Sequence, residues 1–286
     1  MDERAALSLV GGLVSSAGDD AAVVDGTVVT IDMLHEATDF PAGTTRYTAG
    51  WRSVGASLSD VAAMGAEASA AVAVYAAPEF DEGELTAFVD GASGVCERVG
   101  AEYVGGDLDG HDEFTVATAA VGSVDERVGR GGARAGDRVL VTGTLGRSAA
   151  ALRLFEAGDV ERANELFRFE PRVAAGRALG EYATAMMDSS DGLARSLHQL
   201  AEASGCGFDV ESDRIPVAHE LSALSADALD DAVTFGEDFE LVATVPADDV
   251  AAVEREVPVP VADVGEVTDA GVRMDGSPLA DRGWTH

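Results

Sequence analysis

Along this chain apolar runs end repeatedly in short turns where glycine, serine or threonine stands beside an acid: Gly18-Asp19-Asp20, Thr30-Ile31-Asp32, Ser59-Asp60, Gly105-Gly106-Asp107, Asp188-Ser189-Ser190-Asp191-Gly192 and Gly236-Glu237-Asp238. The apolar runs have to be buried, whereas an unpaired ionised carboxylate buried with them costs several kcal/mol. A fold that satisfies both demands brings the ends of its strands and helices, and their acids, to a shared edge. Carboxylates gathered there suit hard divalent cations, and Mg2+ in particular is commonly shared between a few carboxylates and substrate phosphates. The motifs read as a metal and polyphosphate site.

The rest of the acidity has a plainer origin. The formal net charge is -33 from 52 acidic and 19 basic residues, every basic residue is arginine, and lysine is absent. Such a surface suits multimolar salt, and most of its acids are solvated. A nucleic-acid backbone or an anionic membrane is excluded as a partner by charge. Lysine absence removes P-loop, protein-kinase and Schiff-base chemistry, each of which needs an amine. Bound polyphosphate must therefore be neutralised by metal ions, arginines and backbone N–H groups.

With 286 residues, 47% of them hydrophobic, the chain can form two cored domains. No signal peptide or membrane-spanning run is legible, so a cytoplasmic protein is expected. Cys96 and Cys206 are isolated, and a packing role is expected of both. Val23–Met33 reads as paired strands about Gly26, Thr45–Gly65 and Glu82–Gly100 as helices, and Ala70–Ala76 and Phe114–Val124 as strands. The Gly- and Arg-rich stretch from Asp125 to Arg138 reads as a linker. Beyond it, strands are expected at 138–142, 185–187, within 235–245 and at 261–267, and helices at 148–156, 171–182 and 193–203. The expectation is a two-domain α/β (α+β) chain, residues 1–125 and 126–286.

Singly, each motif keeps two readings. Asp60 is either a cation ligand or a residue on the wet face of its helix. Gly105-Gly106-Asp107 is either a ligand approach or a generic turn. Ser190 and Asp191 either cap a helix or stand where its free N–H groups attract phosphate. Asp238 or Glu240 is open to a surface reading, and Glu237 next to Gly236 reads as a candidate ligand contact. Gly143–Gly146 has the look of a phosphate loop but suits an ordinary strand-to-helix turn, and the five histidines form no nucleophile pattern.

In order, GDDAAV (18–23), TIDML (30–34), SLSDVAAMGA (57–66), GGD (105–107), R-x-x-A-x-x-GD (130–137), VTGTLG (141–146), DSSDGL (188–193) and GEDFEL (236–241) resemble the thiamine-monophosphate kinase family, over almost the whole chain. That family shares a superfamily with aminoimidazole ribonucleotide synthetase and selenophosphate synthetase. The resemblance implies an N-terminal domain with a mixed sheet that binds ATP and forms a homodimer, a C-terminal α/β domain, and several Mg2+ ions between triphosphate and carboxylates. It implies metal binding by Asp20, Thr30, the Ile31 carbonyl, Asp32, Asp60, Asp107, Asp188 and Asp191. Gly106, Asp107, Arg130 and Ser190 would meet ATP, and Glu237 and Trp284 the thiamine monophosphate. Three positions depart from the family pattern: Asp39 stands for a substrate-side His, Ser57 for an Asn, and Phe235 for a Gly. The rival readings are another ATP-using enzyme of the superfamily and a non-catalytic acidic protein that binds divalent cations.

Overall fold

A computed structural model describes residues 9–14 and 17–283 of the chain. Two sheets organise it. The first has the order β1-β2-β5-β3-β4. Strands β1 (Ala22–Val24) and β2 (Thr27–His35) form a hairpin whose turn residues Asp25 and Gly26 both take positive φ, as a tight two-residue hairpin turn requires. One turn of helix, α1 (Glu36–Asp39), leads to the long α2 (Arg46–Ala63), followed by β3 (Glu67–Ala77), α3 (Glu82–Val99), β4 (Glu102–Gly110) and β5 (Thr115–Ser123). Only β3 and β4 pair in parallel; the other pairs are antiparallel.

Helices α2 and α3 touch backbone to backbone. A Cβ on Gly50 would stand 2.1 Å from the Phe88 carbonyl oxygen, and one on Gly91 would stand 2.0 Å from that of Tyr47. Glycine at these two positions lets the pair lie close over the inner face of the sheet.

After a stretch without regular structure comes β6 (Arg138–Thr142), then α4 (Arg147–Glu156), α5 (Val160–Phe167), α6 (Val173–Gly180), β7 (Ala185–Asp188) and α7 (Leu193–Ser204). The remainder is β8 (Gly207–Val210), α8 (His219–Leu224), α9 (Ala228–Thr234), β9 (Leu241–Val245), α10 (Val250–Glu256), β10 (Val261–Thr268), β11 (Gly271–Met274) and β12 (Ser277–Pro278). The second sheet runs β12-β11-β8-β10-β6-β9-β7.

The two units do not keep wholly separate cores. Val54, Leu58 and Val61 of α2 share one buried cluster with Leu140, Met186, Leu241 and Val245 of the second sheet. The helix carrying Ser59 and Asp60 is thus packed between the sheets. Both cysteines are free, and Cys96 is buried. Among the described residues no helix is long and apolar enough to cross a membrane.

Two expectations need correction. The Gly105-Gly106-Asp107 segment does not follow a strand as a turn. It lies inside β4, where the pairing slips by a residue between Ala71↔Tyr103 and Ala73↔Gly106, and Gly105 takes φ 125°. The glycines form a bulge on an edge strand, and a Cβ on Gly106 would meet the Ala73 carbonyl oxygen at 1.7 Å. Likewise Asp238 and Glu240 are buried rather than surface residues, and β9 begins after them at Leu241.

Candidate active site

The last turns of α2 connect the sheets through three side chains. Ser57 donates a hydrogen bond to Asp32 of β2 at 2.7 Å and shares another with Thr118 of β5 at 2.8 Å. Ser59 donates to Asp188, at the end of β7, at 2.6 Å. Asp60 accepts from the Thr30 hydroxyl of β2. Strand alternation places Val28, Thr30, Asp32 and Leu34 toward the helix, and Val29, Ile31 and Met33 outward. The Ile31 side chain therefore points away from the acids, leaving only its backbone to serve them.

Around this junction, carboxylate oxygens of Asp20, Asp60 and Asp188 lie within 4.8 Å of one another. Burial, then the charges of Asp32, Asp188 and Asp20, raise the Asp60 carboxyl well above its ordinary range. Burial, then Asp20, push Asp188 up to about 8, against the lowering effects of Ser59 and Arg130. Arg130 grips Asp20 through two nitrogens, at 2.8 and 3.2 Å, and its backbone N–H donates to Asp19 at 2.9 Å. Burial pulls the Arg130 guanidinium down, but Asp20, Asp188 and Asp60 raise it on balance. One guanidinium does not neutralise this many carboxylates. The Ser189 hydroxyl, next to Asp188, is buried with no partner among the described residues. An all-oxygen donor set with surplus negative charge fits hard divalent cations.

Two motifs that look independent in sequence lie against each other. The Asp188–Gly192 and Gly236–Glu240 segments prolong the β7/β9 pairing: Ser189 N–H donates to the Glu240 carbonyl at 2.7 Å, and Glu237 N–H to that of Ser190 at 2.6 Å. A Cβ on Gly236 would stand 2.4 Å from the Ser190 carbonyl oxygen, so the contact excludes any side chain there. Ser190 and Asp191 are half-buried just before α7; Asp191 is not one of the three clustered acids. Gly283, the last described residue, stands against the Asp191 carbonyl, and Trp284 lies outside the described residues.

Glu237 and Phe239 take positive φ, 61° and 54°. That strained conformation is held by Arg52, a residue the motif reading missed. Arg52 is 1% exposed and pairs with Glu237 at 2.6 Å, while its guanidinium lies 3.5 Å from the centre of the Phe167 ring. Phe169 and Phe239 stack beside it with ring centres 4.2 Å apart. The available signal was that Arg52 is the sole charged residue from Tyr47 to Ser59. Asp238 accepts from the N–H groups of Gly146 and Ser148, so the Gly143–Gly146 turn spends its helix N-terminus on a protein carboxylate. Glu240 pairs with Arg172 through two contacts, at 2.6 and 2.7 Å, and accepts from Thr142 at 2.6 Å.

Asp39 and Glu237, brought from the two units, line one cavity of about 230 Å³ with Phe40, Pro41, Phe167 and Phe235. Two of the three departures from the family pattern, Asp39 and Phe235, therefore share a pocket, and the third, Ser57, holds Asp32. Asp39 is buried and accepts from the His35 N–H and the Thr38 hydroxyl, both at 2.7 Å. The His35 ring turns instead to Thr115, at 3.1 Å.

Asp107 stands apart. On β4 it pairs with Val74 of β3, which pairs with Ala117 of β5 and so with Met33 of β2, placing it in the outward-facing row. Three strand spacings, roughly 14 Å, separate that position from β2. Gly106 lies in the inward row with Ala73, Thr118 and Asp32. Within the chain Asp107 does not join the Asp20, Asp60 and Asp188 group.

Two α/β units with acids converging at their junction define the class. Residues 18–124 match the N-terminal domain model of AIR synthase related proteins, and residues 134–275 match the corresponding C-terminal domain model. Within that class the chain belongs to the thiamine-monophosphate kinase family. It is 70% identical over 288 residues to the thiamine-monophosphate kinase of Halobacterium salinarum, covering 100% of both chains. The solved structure described as AaThiL complexed with AMPPCP and TMP is 28% identical, with TM-score 0.91 over 99% of this chain and 96% of that one. Thiamine-monophosphate kinase from Stenotrophomonas maltophilia K279a gives 33% identity and TM-score 0.83 over 92% and 90%.

Proposed function

We propose that this protein transfers the γ-phosphoryl group of ATP directly to thiamine monophosphate, giving ADP and thiamine diphosphate. The observation that carries the reading is the approach of Asp20, Asp60 and Asp188 within 4.8 Å, where two units of a thiamine-monophosphate kinase fold meet. Asp20, Asp32, Asp60 and Asp188, with Thr30, the Ile31 carbonyl and Asp191 beside them, would hold Mg2+. When bound, the ions supply charge neutralisation and alignment of the phosphates.

The chain's own groups do the remaining work. A bond forms from a thiamine-phosphate oxygen to the γ-phosphorus as the bond to the leaving ADP oxygen breaks. The attacking phosphate is largely ionised at neutral pH, its second pKa being about 6, so no side chain has to remove a proton. Arg130 brings positive charge to the acid cluster on the nucleotide side, with Ser190 in the turn that precedes α7. Glu237, held by Arg52, and Asp39 bound the thiamine side, with Phe40, Phe167 and Phe235 as apolar walls for its rings. Trp284 is assigned to the same side by the family resemblance alone.

Asp107 and Gly106 fit this scheme in a homodimer. The outer face of the first sheet exposes Val29, Ile31, Met33, Val72, Val74 and Val121, with Ile31 75% exposed. A second copy packed there would bury this stripe and carry the β4 edge toward the partner's β2, so that Gly106 and Asp107 meet the nucleotide of the neighbouring site. The apolar groove of about 460 Å³ beside Gly106, with Leu85, Phe88, Val89 and Tyr103, suits the adenine base. Residues 1–125 would then be the nucleotide, metal and dimer unit, and 126–286 the unit that closes the site. The enzyme would act in the cytoplasm, where ATP is available.

The test is purified protein in multimolar KCl with ATP and Mg2+, given thiamine monophosphate, free thiamine or formylglycinamidine ribonucleotide in parallel. Thiamine diphosphate should form only from thiamine monophosphate, one per ADP. ADP release that depends on the ribonucleotide instead would move the protein to the synthetase branch.

A further inference from the structure

A second cavity, of about 510 Å³, opens between the units beside Phe169 of the Arg52, Phe169 and Phe239 stack. The proposed chemistry does not use it. Its wall is aromatic, formed by Tyr47 and Trp51 of α2 and by Phe169, and four arginines line it: Arg98, Arg147, Arg168 and Arg172. In a chain so rich in acid most arginines pair with a carboxylate. Arg98 pairs with Glu170 and Arg172 with Glu240, but Arg147 and Arg168 have no carboxylate partner among the described residues. Arg168 lies over the Tyr47 ring at 5.2 Å. Among the described residues Arg147 reaches only the Leu166 carbonyl, at 3.5 Å, and its Nε is buried without a partner.

The carboxylates that line the cavity do not answer these charges. Glu170 and Glu240 are paired as described, and Asp238 is held by two backbone N–H groups. Burial, despite those N–H bonds, pushes Asp238 up to about 7. Glu165 is exposed.

We propose that this cavity is a second ligand site, which takes a small phosphorylated compound bearing a flat ring: the phosphate on Arg147 and Arg168, the ring against Tyr47, Trp51 and Phe169. Two guanidiniums match phosphate oxygens in geometry as well as charge, and an aromatic wall at one end selects a ring over a bare anion.

Trp51 supplies the readout. The chain has two tryptophans, so Trp284→Phe leaves Trp51 as the only one. Adding Asp60→Asn disables the acid cluster. In that background at working salt, Trp51 emission should change saturably with ADP, more weakly with inorganic pyrophosphate, and not with adenosine. Arg147→Gln with Arg168→Gln should weaken the ADP response by about tenfold or more, the cost of losing charge-assisted hydrogen bonds. Glu165→Arg, on an exposed position that tolerates exchange, should tighten it severalfold.

Absence of a saturable response, or a response indifferent to both the arginine and the Glu165 changes, would overturn the site. Pyrophosphate binding as tightly as ADP would overturn the role of the ring. The measurement needs no turnover, so its failure leaves the kinase reading untouched.

Discussion

Two buried groups of acids lie close together in this molecule and are built on opposite principles. Glu237, Asp238 and Glu240 each have a protein counterpart: Arg52 for the first, the N–H groups of Gly146 and Ser148 for the second, Arg172 for the third. Asp20, Asp60 and Asp188 face one another, and among the described residues Arg130 is the one guanidinium in contact with the group; burial first, then their mutual charge, raises the carboxyls of Asp60 and Asp188. Burial of a carboxylate is therefore no sign of a metal site by itself; the sign is missing counter-charge. The first group is a strut between the units, and the second is a socket that the polypeptide leaves electrically incomplete.

The contrast predicts opposite consequences for the same kind of substitution. Asp60→Asn should lower kcat by about a thousandfold, the scale seen when a group stabilising transition-state charge is removed. Without Mg2+ the variant should be as stable as the parent or more so, because a repelling charge has gone. Near-normal turnover at limiting Mg2+ would end the socket reading. Glu240→Gln should do the reverse in the metal-free protein. It leaves the half-buried Arg172 against a neutral partner, for which about 1.5–3 kcal/mol of stability is the expected loss. A Glu240→Gln protein that melts with the parent would erase the distinction between strut and socket.

The acids of the socket stood out in sequence because each sits beside an apolar run and has Gly, Ser or Thr nearby, a local pattern. Those of the strut did not. Asp238 and Glu240 have the same local pattern as many solvated acids of a halophilic surface, and their partners Gly146, Ser148 and Arg172 are far away in sequence. Arg52 was hidden for the same reason, since a lone charge in an apolar helix does not announce which distant carboxylate it meets. The long helices and central strands were readable from periodicity. Short elements such as α8, α9 and β8 were not, because a stretch of four to seven residues carries too few periods to separate helix from strand. Asp107 shows a different limit: its motif was visible, but which face of the sheet it occupies depends on a bulge at Gly105 that no periodicity reveals.

Proton linkage sharpens the comparison further. In the metal-free fold burial, then the charge of Asp20, pushes the Asp188 carboxyl from its ordinary 3.8 up to about 8. A carboxyl whose folded value is raised favours the folded state fully below its unfolded value, and that contribution is lost as pH rises through the folded value. Metal-free stability owed to Asp188 should accordingly decline between about pH 4 and pH 8. Asp188→Asn removes the dependence, so its advantage over the parent should grow across this window and be largest at the alkaline end. Saturating Mg2+ should invert the ranking there, since ions bind the ionised parent better. Thermal midpoints of both proteins at several pH values, with and without Mg2+, test this; a constant gap across the window would mean that Asp188 is not carrying the repulsion.

The smallest expected effect concerns the pocket attached to the strut. Phe235 stands where the family pattern has glycine, and Asp39 where it has histidine, and both line the cavity with Glu237. Asp39 is already engaged by the His35 N–H and the Thr38 hydroxyl within its own turn, so it offers the thiamine rings less than a free imidazole would. An aromatic ring at 235 restores apolar wall lost by that exchange. Phe235→Gly should therefore raise KM for thiamine monophosphate severalfold, in line with about 1 kcal/mol for an aromatic contact, while KM for ATP stays close to the parent's. Asp60→Asn should show the complementary split, with its loss in kcat. If Phe235→Gly shifted KM for both substrates together, the pocket and the socket would be one site energetically, and the division between them would be only architectural.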